Sequence, residues 1–336
     1  MRLDEFDYEL PEAAIAQVPT EPRDAARLLV DRGPGPPDHR VVADLPDLLE
    51  PGDVVVVNET KVLPARLPLH RGSGGAAEVL LLEPLSPDRR TWEALVRPAR
   101  KLKPGEELVG RHGQSVVRIG DRRPSGGTFT VELLGTGDPL DELDAVGEMP
   151  LPPYIHTRLA DASRYQTVYA KIPGSAAAPT AGLHLTPAVL DRLAARDIPV
   201  VPVELVVGLD TFQPVTTDDP LAHRMHSERY RVPASTWDAV QAANRVVAVG
   251  TTSVRALESA HRRGELEGRT ELFLHRGADF GVVDVLMTNF HLPRTTLLMM
   301  IDAFVGPRWR THYETALAEG YRFLSFGDAM LLHRTG

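Results

Sequence analysis

The pattern of apolar residues divides the chain into three stretches, and the first covers residues 1–65. In it, the apolar run Val54–Val57 follows a turn signal at Pro51–Gly52. A β-branched run without alternation is typical of a strand that is buried on both faces, as in a parallel sheet. We therefore predict that the first stretch belongs to an α/β domain.

Residues 66–149 form the second stretch, in which short apolar segments alternate with clusters of Gly and Pro. The segments that predict strands are Ala77–Leu82, Thr91–Val96, Glu107–Arg111, Ser115–Ile119 and Thr128–Leu134. Short strands at this spacing are typical of a small antiparallel barrel. We predict an inserted β-barrel domain at 66–149.

The third stretch, residues 150–336, shows alternating helix and strand signals. They predict a helix from Thr186, a strand at Val200–Val207, a helix at Ala234–Asn244, a strand at Val246–Val249, a helix at Ser253–Arg263 and a strand at Glu271–Leu274. Such alternation indicates βαβ units and a parallel sheet. The prediction is therefore a discontinuous α/β catalytic domain, residues 1–65 and 150–336, with a mostly parallel sheet that the barrel domain interrupts.

The composition excludes several classes of protein. None of the 336 residues is a cysteine, which excludes a disulfide framework, a thiolate metal site and a cysteine nucleophile. The first residues are acidic, without the apolar segment of a signal peptide, and no apolar run approaches the ~20 residues that span a bilayer. We expect a cytoplasmic monomer that does not contact membranes.

The charge is unevenly distributed along the chain. A net charge of −9 argues against a dedicated nucleic-acid binder, which usually has a basic surface. Residues 97–123 nevertheless carry eight Arg or Lys against three acidic residues, a local charge of +5. This stretch is either a solvated face of the barrel or a contact for an acidic partner.

The segment Pro179–Thr186 is a Gly-containing loop that leads into a Thr-capped helix. Such a loop presents backbone N–H groups that can bind an anion or a carboxylate. The alternative is a plain helix cap, with His184 as a solvated or core histidine.

The segment His223–Glu228 contains two histidines and one glutamate. On a helix this spacing could bind zinc, but no helix signal surrounds the segment and a strand is predicted to follow it. An acid/base pair of His226 and Glu228 in a loop is the preferred interpretation.

In the segment Val249–Arg255, a predicted buried strand runs into Gly250 and three hydroxyl residues before a helix. Ligands of open α/β sheets bind at the carboxyl ends of strands, where a glycine allows close approach to the backbone. The spacing matches neither a dinucleotide-binding nor a triphosphate-binding loop, so an ordinary capped turn is the alternative.

Three further polar clusters have a similar setting. Thr288–Thr296 is a polar and aromatic loop, or simply the capped start of a helix. Asn58–Thr60 follows the apolar run at Val54–Val57, and Gly327–Asp328 follows Phe323–Phe326, so we expect both to lie at the carboxyl ends of strands. An acid in that position can hold a ribose hydroxyl.

Motifs along nearly the whole chain are similar to those of one known family. They are Phe6–Pro11, Pro22–Asp24, Pro64–Leu67, Trp92–Ala99, Met149–Ile155, Tyr165–Lys171, Ala178–His184, Met225–Glu228, Val249–Arg255, Thr288–Pro293 and Phe326–Leu331. On these motifs the chain resembles the S-adenosylmethionine:tRNA ribosyltransferase-isomerase family of queuosine synthesis. The resemblance implies an α/β domain with an inserted β-barrel, in agreement with the apolar pattern.

The resemblance also implies a reaction. The enzyme would transfer and isomerise the ribosyl part of S-adenosylmethionine onto 7-aminomethyl-7-deazaguanine in the tRNA anticodon loop, giving epoxyqueuosine and releasing adenine and methionine. S-adenosylmethionine is then the ribosyl-donor substrate, and no cofactor or metal is implied. A base must remove a proton from C5′, a general acid can assist adenine, and the attacking amine must be uncharged.

The chemistry that this reaction needs, together with the basic stretch at 97–123, suggests roles for residues of this chain. The residues expected to be catalytic are His226, Glu228, His184 and His291. The residues expected to bind substrate are Asn58, Glu59, Thr60, Arg66, Thr180, Gly182, Gly250, Thr251, Thr252, Ser253, Arg255, Asn289 and Asp328, with Arg255 and the Thr251–Ser253 loop assigned to the methionine carboxylate. The residues expected to contact tRNA are Arg97, Arg100, Lys101 and Lys103.

The chain departs from the family pattern in several motifs. The family usually has Asp and Arg where Glu59 and Lys61 stand, and His and Gly where Val206 and Asp210 stand. These departures keep a second hypothesis open, a relative that cleaves S-adenosylmethionine or transfers from it to a non-tRNA small molecule. A third hypothesis is a catalytically silent RNA- or nucleoside-binding module.

Overall fold

The structure is a computed structural model that describes residues 1–124, 127–207, 215, 217, 219–223, 225 and 227–335. Two of the residues singled out from the sequence, His226 and Asp210, lie outside the described residues. The chain forms two compact units. The α/β unit comprises residues 1–60, 153–172 and 179–336, and the barrel unit comprises residues 61–152 and 173–178.

The strands are numbered in chain order. They are β1 (Arg27–Asp31), β2 (Asp38–Val41), β3 (Asp53–Asn58), β4 (Thr60–Val62), β5 (Arg66–Arg71), β6 (Ala76–Pro84), β7 (Thr91–Arg97), β8 (Glu107–Val109), β9 (Ser115–Arg122), β10 (Phe129–Leu133), β11 (Ile172–Ser175), β12 (Val200–Leu205), β13 (Glu228–Arg231), β14 (Arg245–Val249), β15 (Glu267–Thr270), β16 (Val285–Asn289) and β17 (Ala329–His333).

The α-helices are fewer and lie mostly in the α/β unit. They are α1 (Leu45–Leu48), α2 (Pro139–Val146), α3 (Pro187–Ala194), α4 (Ala234–Ala242), α5 (Thr251–Arg263), α6 (Thr296–Val305) and α7 (Arg308–Ala318). In the part of the chain that the structure describes, no helix is long and apolar enough to cross a membrane.

The barrel unit is closed by strands in the order β10-β7-β6-β5-β8-β9. Neighbouring strands are antiparallel, and successive residues alternate between a buried apolar face and a more exposed face, as in β7. The strand β5 was not among the predicted segments, because Pro68 in its middle removes a backbone donor and is atypical of a strand interior.

The α/β unit contains a nine-stranded sheet in the order β15-β13-β12-β3-β14-β16-β17-β1-β2. The central strands β12, β3, β14 and β16 are parallel to one another. At one end of the sheet, β13 is antiparallel to both β12 and β15. At the other end, β17 is antiparallel to β16 and parallel to β1, and β2 is antiparallel to β1. The predicted class, an α/β fold with an inserted antiparallel barrel, is confirmed, and the sheet is mixed.

The centre of the sheet is buried on both faces. The side chains of Val54–Val57 are at most 3% exposed. Val55 and Val57 pack with α3 residues on one face, and α5 contacts β3, β12 and β14. Because both faces of these strands are covered, polar side chains lie at or beyond the strand ends.

Two elements near the sheet edge differ from the predictions. The strand expected at Glu271–Leu274 lies at Glu267–Thr270, and Phe323–Phe326 is not a strand. Asp328 therefore precedes β17 instead of following a strand. It still reaches the same edge as the ends of the parallel strands, because β17 runs antiparallel to β16 and pairs Ala329 with Asn289.

An aromatic cluster packs beside the carboxyl end of β16. The ring of Phe290 lies 4.6 Å from that of Phe323 and 5.3 Å from that of Tyr313, and Tyr8 lies 5.1 Å from Tyr313 between ring centroids. The Phe290 side chain is fully buried. The two pairs that involve Tyr313 are edge-to-face, and such packing contributes about 0.5–1.5 kcal/mol per pair beyond burial.

We expect Phe290→Ala to destabilise the protein by about 3–5 kcal/mol, because it removes a buried ring and leaves a cavity between three neighbouring rings. Urea denaturation measures the loss. Val18→Ala is the matched control, since Val18 is 51% exposed and its truncation should change stability by no more than about 0.5 kcal/mol. A loss below about 1 kcal/mol for Phe290→Ala would contradict the packing described here.

Candidate active site

Several side chains singled out from the sequence lie together at the carboxyl edge of the parallel strands of the α/β unit. Asn58 closes β3, Gly250 precedes α5 after β14, and Asn289 closes β16. Glu228 opens β13, which is antiparallel to β12 and so begins at the same edge, as Asp328 does before β17. The direction of the strands therefore brings distant motifs to one edge.

A buried ion pair lies at this edge. The Nη1 atom of Arg255 donates to Oε2 of Glu228, and the two side chains are 4% and 6% exposed. The Nε atom of Arg255 donates to the carbonyl of Leu272 at 3.3 Å. The Nη2 atom is buried and has no hydrogen-bond partner among the described residues. Sequence reasoning assigned Glu228 to His226 and did not anticipate its pairing with Arg255.

The ion pair lines a small, partly open cleft. Most of the other lining side chains are apolar, and His223 and Thr296 are the polar ones. The apolar residues are Met225, Leu272, Phe273, Leu274, Leu297 and Met300. The cleft therefore combines two opposite buried charges with an apolar lining. This combination suits a ligand that carries both charges on a short aliphatic chain.

The turn Thr180–His184 lies against the ends of β14 and β16. The hydroxyl of Thr180 donates to Oδ1 of Asn289 at 2.9 Å, and the Asn289 amide donates to the carbonyl of Leu324 at 3.1 Å. Gly250 has a φ of +88°, which L side chains rarely adopt, and a Cβ there would lie 3.7 Å from Ala181. The turn and the start of α5 are therefore in close contact.

The first turn of α5 can bind an anion. A helix N-terminus presents unpaired backbone N–H groups and the positive end of the helix dipole. The hydroxyl of Thr252 is buried there and has no hydrogen-bond partner among the described residues. Ser253 is already engaged, since its hydroxyl donates to the carbonyl of Val249.

Gly182 has a packing role in the same turn. A Cβ at Gly182 would overlap the hydroxyl of Tyr169 and touch Thr167. Both of these residues belong to the motif Tyr165–Lys171, for which no role was predicted from the sequence. Burial raises the pKa of Tyr169, so its hydroxyl stays protonated.

His184 is held between two backbone carbonyls. Its Nδ1 lies 3.0 Å from the carbonyl of Ala181, and its Nε2 lies 2.8 Å from that of Gly327. Burial lowers the pKa of His184 despite these two acceptors. Because both ring nitrogens face the backbone, the contacts favour a role in positioning the turn over proton transfer to a substrate.

His291 is a neutral imidazole. Burial lowers its pKa to about 3, and its Nε2 lies 3.1 Å from the hydroxyl of Thr288. Its backbone is fixed by the aromatic cluster, because the Tyr8 hydroxyl donates to its carbonyl at 2.5 Å and its N–H donates to the Tyr313 hydroxyl at 2.9 Å. Sequence reasoning missed Tyr8 and Tyr313, since nothing local links Tyr8 to a residue 283 positions away.

Asn58 and Asp328 bind backbone groups. The Asn58 amide donates to the carbonyl of Leu205 and accepts from the N–H groups of Thr60 and Leu205. The carboxylate of Asp328 accepts from the N–H groups of Arg27 and Arg322 at 2.9 and 2.8 Å. These bonds hold the edge of the sheet together.

Glu59 lies in a different position from the buried pair. Burial raises the pKa of its carboxyl group, while Lys171, 3.9 Å away, opposes the shift. Glu59 and Lys171 line an open cleft together with Val57, Tyr169 and Leu190. A half-buried acid with a raised pKa can exchange a proton near neutral pH more readily than an exposed one.

The remaining predicted residues lie in the barrel unit. Arg66 exchanges two backbone hydrogen bonds with Glu148. The four residues predicted to contact tRNA are exposed, from the end of β7 to the turn before β8, namely Arg97, Arg100, Lys101 and Lys103. Their contact with tRNA stays a prediction.

Comparison with known proteins places the chain in a family. The family model described as "Queuosine biosynthesis protein" matches residues 3–332. S-adenosylmethionine:tRNA ribosyltransferase-isomerases of Symbiobacterium thermophilum and Moorella thermoacetica are each 50% identical to this chain, over 99% of it and 100% of their own length. The solved S-adenosylmethionine tRNA ribosyltransferase of Thermotoga maritima is 36% identical and aligns with a TM-score of 0.55 over 97% of this chain and 99% of that one. The chain belongs to the queuosine biosynthesis protein family.

The low pKa of His291 predicts how the free energy of unfolding depends on pH. The pKa of an imidazole in the unfolded chain is about 6.5, so below this pH the unfolded chain binds a proton that the native state excludes down to about pH 3. The stability contributed by His291 is therefore complete above pH 6.5 and falls as the pH falls. Between pH 7 and 5 the wild type should lose about 2 kcal/mol more than His291→Gln.

Urea denaturation at the two pH values measures this difference. His156→Gln, which removes an exposed histidine of the same unit, is the matched control. Equal losses for the wild type and His291→Gln would show that His291 is protonated as readily in the native state as in the unfolded chain.

Proposed function

We propose that this protein is a transferase that moves and isomerises the ribosyl part of S-adenosylmethionine onto 7-aminomethyl-7-deazaguanine in tRNA, releasing adenine and methionine. The observation that carries this conclusion is the 50% identity, over essentially full length, with relatives named S-adenosylmethionine:tRNA ribosyltransferase-isomerase. It favours tRNA over a small-molecule acceptor despite the departures at Glu59 and Val206. A silent binding module is disfavoured for the same reason.

We place S-adenosylmethionine at the carboxyl edge of the α/β unit. The edge supplies the N-terminus of α5 with the unpartnered Thr252 hydroxyl, and the buried Arg255 with its unpartnered Nη2 atom. Both are donors suited to an anionic group. The α/β unit is thus proposed as the catalytic domain, acting in the cytoplasm as a monomer and without a cofactor.

The reaction needs a base that removes a proton from C5′, which the adjacent sulfonium acidifies. His291 is neutral and can accept a proton, but its low pKa makes it a weak base. His226, from the same motif as Glu228, stays the preferred base. Glu59, whose pKa is raised by burial, is suited to take a proton from the attacking amine.

The direct test supplies the enzyme with S-adenosylmethionine and tRNA that carries the aminomethyl-deazaguanine. We expect nucleoside mass spectrometry to detect epoxyqueuosine, with one adenine released per modified tRNA. The same tRNA carrying unmodified guanine is the control and should give neither product. Adenine release without a change in the tRNA would indicate a small-molecule acceptor or simple cleavage.

The barrel unit is proposed to contact the tRNA backbone. Replacing Arg97, Arg100, Lys101 and Lys103 with Gln should weaken tRNA binding and reduce the slope of log K against log salt by about 3, because phosphate contacts release counterions. The affinity for S-adenosylmethionine should not change. Arg111→Gln with Arg118→Gln is a control on the same barrel, since both arginines are paired with glutamates. An unchanged salt slope in the fourfold variant would indicate a merely solvated face.

A further inference from the structure

The cleft around Glu228 and Arg255 carries an inference that rests on the proposed function and deepens it. We propose that this cleft binds the α-amino acid end of S-adenosylmethionine and also binds the methionine that forms when the bond between sulfur and C5′ breaks. In this assignment Glu228 is a binding residue for an ammonium group, and not the partner of a histidine in acid/base catalysis.

The first argument concerns charge. Burying an ion pair away from water is costly unless further hydrogen bonds satisfy its remaining donors and acceptors. The Nη2 atom of Arg255 is buried without a partner among the described residues. A buried donor without a hydrogen bond is unfavourable. A ligand carboxylate would satisfy this donor and could engage two atoms of the planar guanidinium at once.

The second argument concerns the opposite end of the zwitterion. An α-amino acid carries its ammonium group one carbon away from its carboxylate. Arg255 and Glu228 are in direct contact, so the cleft presents a cation and an anion at a similarly short separation. A carboxylate has two oxygens and accepts several hydrogen bonds, so Glu228 can bind an ammonium group in addition to its other partners. The pair therefore matches both charges of an amino acid head group.

The third argument concerns the apolar walls. Met225, Leu297 and Met300 line the cleft and suit the two methylene groups and the sulfur of methionine. Phe273 is an aromatic neighbour, and sulfur packs favourably against aromatic rings.

The assignment has a consequence for the order of events. Once the bond between sulfur and C5′ breaks, the sulfur keeps the electron pair and methionine becomes a neutral thioether with an unchanged zwitterionic head. The cleft holds that head equally in substrate and product. We therefore expect free L-methionine to compete with S-adenosylmethionine.

The test measures binding by calorimetry, with the enzyme alone and with tRNA that carries unmodified guanine. The probes are S-adenosylmethionine, L-methionine, L-methioninol, which lacks the carboxylate, and 5′-methylthioadenosine, which lacks the amino acid. We expect L-methionine to bind and to compete with S-adenosylmethionine, and L-methioninol to bind at least tenfold more weakly. If L-methionine binds neither form of the enzyme, or binds without competition, the proposal is overturned.

Variants separate the two roles of Glu228. Glu228→Gln and Arg255→Gln should each weaken L-methionine and S-adenosylmethionine binding at least tenfold, and leave 5′-methylthioadenosine binding unchanged as evidence of an intact fold. Glu267→Gln and Arg262→Gln change exposed residues outside the cleft, on β15 and on α5, and should bind all probes like the wild type. A Glu228→Gln variant with normal binding but a kcat lowered 10²–10⁴-fold would instead establish acid/base catalysis.

A variant that leaves both charges in place controls for misfolding of the Glu228 and Arg255 variants. Leu297→Phe narrows the cleft from its apolar side and should weaken L-methionine binding at least tenfold without affecting 5′-methylthioadenosine. Unchanged methionine affinity in Leu297→Phe would contradict the placement. Because binding is measured without the modified tRNA, a failure of the tRNA reaction would not be mistaken for a failure of this subsite.

Discussion

The structure of the α/β unit depends on burying β3 and β14 on both faces. Runs such as Val54–Val57 can be stable only where helices cover the sheet above and below, and here α3 lies on one face and α5 on the other. Parallel strands under two layers of helices must end together at one edge. That edge is where the chain can place polar side chains without breaking the sheet, and the motifs with small and hydroxyl residues lie there.

The polar groups at this edge divide into two kinds. Asn58, Asp328 and His184 are bonded to backbone groups, so their chemistry is used to join strands and turns. Arg255 and Thr252 each keep a buried donor without a partner among the described residues. Native proteins rarely leave such groups unsatisfied, and this is why we proposed a ligand at the second kind.

The difference between these two kinds of polar group separates structural residues from candidate ligand-binding residues. Several residues that the sequence analysis assigned to substrate binding or catalysis have local structural partners, so their replacement should weaken this edge of the sheet. The aromatic cluster acts in the same way on His291, since two tyrosine hydroxyls fix its backbone while burial keeps its ring neutral. Binding at this edge therefore requires a framework that is already in place before the substrate arrives.

The sequence by itself determined the α/β class, the inserted antiparallel barrel and the loops beyond the strand ends. These follow from local patterns, since apolar runs, alternation and the positions of Gly and Pro depend on neighbouring residues. Only the tertiary structure decided that Arg255 pairs with Glu228, that Thr180 meets Asn289, and that Asp328 reaches the edge before an antiparallel strand. Such contacts depend on the order and direction of strands, and local periodicity does not encode which distant groups satisfy one another once they are buried.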